Sequence, residues 1–196
     1  EFEEDVLLLG GVGEETVDDG VLQASAKRFT WLLVNLGTAV LASMVIGMFD
    51  ATIEQMVALA VLMPIVASMG GNAGTQTLTI TVRALATKEL TAYNALRTFR
   101  KELAVGFLNG CLFAVLAGVL TFFWFNDLEQ ANVLGWVIAG AMVINMVVAG
   151  FSGVALPVLL DRMKIDPAIA SGVFVTTVTD VVGFFSFLGL ASVALL

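Results

Sequence analysis

From Thr30 to Leu196 the chain is a succession of five apolar runs, and this limits its fold more than any other feature. The runs cover about 30–49, 56–85, 103–125, 133–160 and 168–196. Each reaches the roughly 20 residues that a helix needs to cross a bilayer core. A closed barrel would need short segments of alternating polarity instead, and the sequence has none. The expected fold is an all-α polytopic membrane protein with five transmembrane helices. Composition agrees: 59% of the residues are hydrophobic and 13% charged, where soluble domains carry about a quarter charged.

The charges are clumped. Eight of the 17 acidic residues fall within residues 1–26. This marks residues 1–27 as an acidic connecting segment ahead of a membrane domain at 28–196. A short helix at Glu3–Leu9 and a loop at Gly10–Gly20 are expected there. The nine basic residues occupy three places: before the first run (Lys27, Arg28), between the second and third (Arg83 to Lys101), and between the fourth and fifth (Arg162, Lys164). With five crossings, all three lie on one side. The bias of Lys and Arg toward the cytoplasm then puts the N-terminus inside and the C-terminus outside, as in a multi-pass protein of the cell (inner) membrane. The stretch from Thr87 to Glu102 suits either an amphipathic helix at the inner interface or a solvated connector. A net charge of −8 and the lack of a long basic patch exclude nucleic acid as a partner.

Polar residues inside the runs carry the functional signal. Asp180 lies about twelve residues into the fifth run, about 18 Å deep at 1.5 Å per residue. A carboxylate near the bilayer midplane marks function by default. Gly172, Thr176, Asp180 and Gly183 recur at spacings of four, four and three, so they share a helical stripe. The second run has a similar face: Gly71, Thr75 and Thr79 recur every fourth residue, with Asn72 and Gln76 beside them. Pro64 frees a carbonyl one turn earlier. Small residues also favour plain helix contacts, but packing alone does not call for the Asp. "PIVASMGGNAGTQT" and "DPAIASGVFVTT" run in opposite directions across the membrane, and inverted Gly/Pro-interrupted pairs often mark transport sites. Asn109 and Asn145 are expected to bond across helices. Glu102 reads first as an interfacial salt bridge with Arg100 or Lys101.

The available ligands are hard oxygens. With no histidine and one cysteine, soft-metal sites are excluded. Ca²⁺ wants six to eight direct oxygens, usually with several carboxylates; Mg²⁺ keeps its waters and uses one or two. Two copies of Asp180 about a dimer axis would suit hydrated Mg²⁺, with K⁺ and Na⁺ left open.

"PIVASMGGNAGTQ", "TVRALAT", "LRTFRKEL" and "DPAIASGVFVTTVTDVVGFFSFLG" together resemble the membrane domain of the MgtE family of Mg²⁺ channels and transporters, from Arg28 onward. The resemblance implies a homodimer in the lipid bilayer with a pore on its two-fold axis, lined by the second and fifth helices. It implies that Asp180 binds the transported Mg²⁺ through the ion's waters. Gly71, Asn72, Thr75, Thr79, Gly172 and Thr176 would line the pore, and Glu102 matches an acidic position near the cytoplasmic side. Some members carry Asn where Thr75 and Gly172 stand, and many carry Pro at Val173, so this pore has fewer carboxamides. The family's cytoplasmic regulatory domains are missing here. Residues 1–27 resemble only their C-terminal edge, so the chain reads as a membrane portion or a short member. The alternative within the same fold is an exchanger coupled to Na⁺ or H⁺. An intramembrane aspartyl protease would need two carboxylates sharing a proton, and one is present; no enzyme is expected. In an inert scaffold Asp180 would have no task.

Overall fold

The structure, a computed structural model, describes residues 18–91 and 93–195, the side chains of residues 169–171 aside. The helix expected at Glu3–Leu9 lies outside these residues. Among the described residues six helices follow one another: α1 Val21–Gly47, α2 Asp50–Gln55, α3 Ala58–Ala86, α4 Ala95–Trp124, α5 Ala131–Arg162 and α6 Pro167–Leu195. Five of them are long and apolar enough to cross a membrane; α2 is a single short turn.

The helix ends explain the boundaries. α6 starts where Asp166 Oδ1 accepts the Ala168 amide at 2.8 Å, with Pro167 in the first helical position, where its missing N–H costs nothing. α5 ends through Lys164, which takes a left-handed φ of 59°. The amides of Lys164 and Ile165 then return to the carbonyls of Asp161 and Leu160, closing the last turn as a helix-terminating motif does. α3 ends at Lys88 with φ 56°. The loop beyond is tied by Asn94, which accepts from the Thr91 amide and donates to the Glu89 carbonyl, both at 2.7 Å. Among the described residues no separate interfacial helix forms there. Arg97, Arg100 and Lys101 belong to the opening turns of α4, which starts eight residues before the apolar run at Leu103. The apolar count could not see this, because charged residues continue a helix into the interface without loss of backbone bonding.

α5 is the central helix and packs against α3, α4 and α6. α1 is peripheral: of its 27 residues only Ala42 is buried, and its main neighbour is α6. Phe49, just past the end of α1, meets Phe185 edge to face at 5.8 Å. In lipid, apolar side chains gain little by leaving their solvent, so helices associate through close backbone approach and polar contacts. The α4–α5 pair shows this along its length. A Cβ at Gly150 would stand 2.6 Å from the Glu102 carbonyl oxygen, one at Gly106 2.6 Å from that of Met146, and one at Gly118 3.1 Å from that of Gly135. Only glycine permits backbones this near.

Candidate functional site

The threonines of α3 alternate in sequence at 75, 77, 79 and 81, but a helix sorts them by fours. Thr77 and Thr81 are buried, and Thr75 and Thr79 are exposed, with Asn72 and Gln76 beside them. The buried side carries Gly70, Gly74, Leu78 and Val82. One face of a membrane-spanning helix thus presents carboxamides and hydroxyls outward in a single chain.

The hydroxyls are oriented by their own helix. Thr75 Oγ1 donates to the Gly71 carbonyl at 2.9 Å and Thr79 Oγ1 to the Thr75 carbonyl at 2.8 Å. On α6, Thr176 Oγ1 donates to the carbonyls of Gly172 and Val173 at 3.1 and 3.0 Å. A hydroxyl has one proton and two lone pairs. With the proton spent on the backbone, what remains is an acceptor. The stripe therefore suits a species that donates hydrogen bonds, such as water held by a cation.

α6 packs against the glycines of α3. A Cβ at Gly74 would stand 2.6 Å from Val175 Cγ1, and one at Gly71 4.0 Å from Thr176 Cγ2. Gly71 and Thr176 are thereby brought together, as neighbours on two helices. Gly172, Thr176 and Asp180 are all half-buried. Asp180 stands near the middle of the 29-residue α6, and no hydrogen bond or ion pair reaches its carboxylate from the described residues. Among those residues no three of His, Cys, Asp or Glu gather, so a dehydrated ion would lack a carboxylate shell within one chain.

Gly183 departs from the stripe expected of it. It is buried and turns inward: a Cβ there would lie 2.7 Å from Asn145 Nδ2. Three and four residues are both one-turn steps, but they rotate in opposite senses, so Gly183 lies to one side of Asp180. Asn145 bonds across helices as expected, its Nδ2 donating to the Val66 carbonyl of α3 at 2.8 Å. Its Oδ1 is buried and has no partner among the described residues, a condition that costs about 1–3 kcal/mol. Asn109, half-buried on α4, makes no such bond among the described residues.

Glu102 is more deeply placed than its charged neighbours suggested. It is 4% exposed. Lys101 Nζ reaches its Oε1 at 3.2 Å, and Thr77 Oγ1 donates to its Oε2 at 3.3 Å. It therefore ties α4 to the buried side of α3, behind the face that carries Thr75 and Thr79. The sequence signal for this tie was the inward phase of Thr77, which a search for outward-facing polar residues passes over.

Known proteins are similar to this chain in sequence. A family model described as a divalent cation transporter, MgtE, matches residues 63–190. The magnesium transporter MgtE of Bacillus subtilis is 31% identical over 194 residues, covering 98% of this chain and 42% of the relative. That of Enterococcus faecalis is 32% identical over 184 residues, covering 94% and 40%. That of Thermus thermophilus is 32% identical over 198 residues, covering 100% and 43%. The chain spans about two fifths of the length of these relatives. The matched region takes in the acceptor stripe of α3 and the Asp180 segment of α6 together, and with five membrane-length helices around them this chain belongs to the MgtE family of divalent cation transporters.

Proposed function

We propose that this chain moves hydrated Mg²⁺ down its electrochemical gradient into the cytoplasm, along a path walled by α3 and α6, with Asp180 as the central ion-binding carboxylate. The observation that carries the reading is the outward polar face of α3 beside a carboxylate that no described residue neutralises. Lipid cannot solvate such groups; polar atoms at membrane depth persist where protein covers them or water reaches them. A second copy related by a two-fold axis covers the face and supplies a second Asp180. Two carboxylates and a set of acceptor hydroxyls then surround an ion that keeps its water, which is the manner in which Mg²⁺ is usually held. The relatives named above are magnesium transporters, which supports the choice of ion.

In this reading Gly71, Asn72, Thr75, Thr79, Gly172 and Thr176 line the path. The small residues give width, and the hydroxyls accept from the ion's waters. Glu102 stands outside the path as a tie between α3 and α4. The basic residues at the opening turns of α4 and at Arg162 and Lys164 set the cytoplasmic side, so the N-terminus is inside.

Proteoliposomes loaded with a Mg²⁺-sensitive dye test the proposal. Mg²⁺ enters down its gradient, the rate does not respond to imposed Na⁺ or H⁺ gradients, and Asp180→Asn nearly abolishes it. Full flux in the Asp180→Asn protein, with equal amounts of folded protein, removes Asp180 from the path. Flux that follows a Na⁺ or H⁺ gradient makes the protein an exchanger.

A further inference from the structure

We propose that Asn145 is a positioning residue for the ion path, setting the spacing and rotation of α3 against α6 at the height of Asp180. The inference rests on the reading of those two helices as the walls. Asn145 itself is 0% exposed and lies on α5, behind both walls. Its carboxamide occupies the room left by two glycines, one on each wall. A Cβ on Gly70 would overlap Asn145 Nδ2, and one on Gly183 would lie 2.7 Å from it. Gly70 adjoins Gly71, and Gly183 follows Asp180 by less than one helical turn. One flat, rigid group is therefore clamped between the backbone segments that carry the two walls.

A leucine could fill this space. The carboxamide adds direction: Nδ2 bonds the Val66 carbonyl at 2.8 Å, one turn before Gly70. That bond fixes how far α3 is turned about its axis, and hence where Gly71 and Thr75 point. The carboxamide stands there although Oδ1 finds no partner among the described residues, which packing alone does not explain. Divalent ions differ in size and in how firmly they hold water, so discrimination among them depends on the distance across the path.

The test uses the reconstituted protein and three ions, Mg²⁺, Mn²⁺ and Ca²⁺. Asn145→Leu keeps the bulk and removes the bond. The expected result is a folded protein whose Mg²⁺-to-Ca²⁺ flux ratio shifts by about threefold or more, the scale of a coupling between groups in contact. A purely structural residue would lower all three fluxes in step with the amount of folded protein and leave the ratio alone, and that result overturns the proposal. Gly183→Ala gives a second measurement. It crowds Asn145 and lowers flux, and adding Asn145→Ala restores much of the loss; a double variant no better than Gly183→Ala also overturns the proposal. Should Asn145→Leu not fold, the Gly183 pair decides. A wild-type protein without Mg²⁺ flux, or a silent Asp180→Asn, defeats the transport reading and this inference with it. Wild-type flux lost in Asp180→Asn, with an unmoved ion ratio in Asn145→Leu, defeats the positioning role alone.

Discussion

The α4–α5 pair and the α3–α6 pair both meet through glycine, and what surrounds the glycines differs. Between α4 and α5 the Cβ positions of Gly106, Gly118 and Gly150 would face backbone oxygens of the other helix at 2.6–3.1 Å. Between α3 and α6 the glycines face side chains, Val175 and Thr176 among them, and the contact leaves a row of hydroxyls and carboxamides on the outer side of α3. Small residues alone therefore say only that two helices come close. A polar edge left beside the contact, with acceptors turned outward, is what separates the α3–α6 pair from the α4–α5 seam.

Substitutions can break or sharpen this contrast. The largest effect is expected at Asp180→Asn: a fall in Mg²⁺ flux of about a hundredfold, equivalent to roughly 2.7 kcal/mol, with unfolding by denaturant little changed. Gly106→Leu should do the opposite. Its side chain meets the Met146 backbone, and overpacking of about 3 kcal/mol should remove most folded protein from size-exclusion profiles. What does fold should conduct at a near-normal rate per molecule. Replacing both Thr75 and Thr79 by valine removes two acceptors while keeping shape. Flux should fall by about tenfold, a loss of about 1.4 kcal/mol, with stability within about 0.5 kcal/mol of wild type.

Smaller effects test the buried side of α3. Thr77→Val removes the donor to Glu102 and should cost about 1 kcal/mol of stability with flux per folded protein unchanged. A flux defect as large as that of the Thr75 and Thr79 pair would show that both faces of α3 serve the ion. The least effect is expected from Lys101→Gln. Lys101 is 65% exposed at its side chain, and a half-solvated ion pair is worth less than about 1 kcal/mol, measurable as a small shift in the denaturation midpoint.

Much of this was legible in the chain itself. A bilayer imposes one length on every crossing helix, so counting apolar residues suffices to find the five spans. The helical period is a property of the backbone, so the separation of Thr75 and Thr79 from Thr77 and Thr81 follows from numbering alone. Asp180 stands out because charge in lipid is rare. The limits of the spans were less legible in the connections, where α4 begins at Ala95 among charged residues, and where Asp50 to Gln55 form a turn of helix that carries no apolar run.

What the tertiary structure alone decided is how the helices meet. No period says that Gly183 turns from the stripe of Asp180 to receive Asn145, because the rotation that separates them is small and only a neighbour gives it meaning. No spacing says that Glu102, besides pairing with Lys101 next to it, also reaches Thr77 on another helix. These contacts join residues far apart in the chain, and they exist because glycines allow three backbones to approach within a side chain's reach. The sequence determined which faces are polar; the packing of α3, α5 and α6 determined which polar groups are spent holding the helices and which are left facing outward.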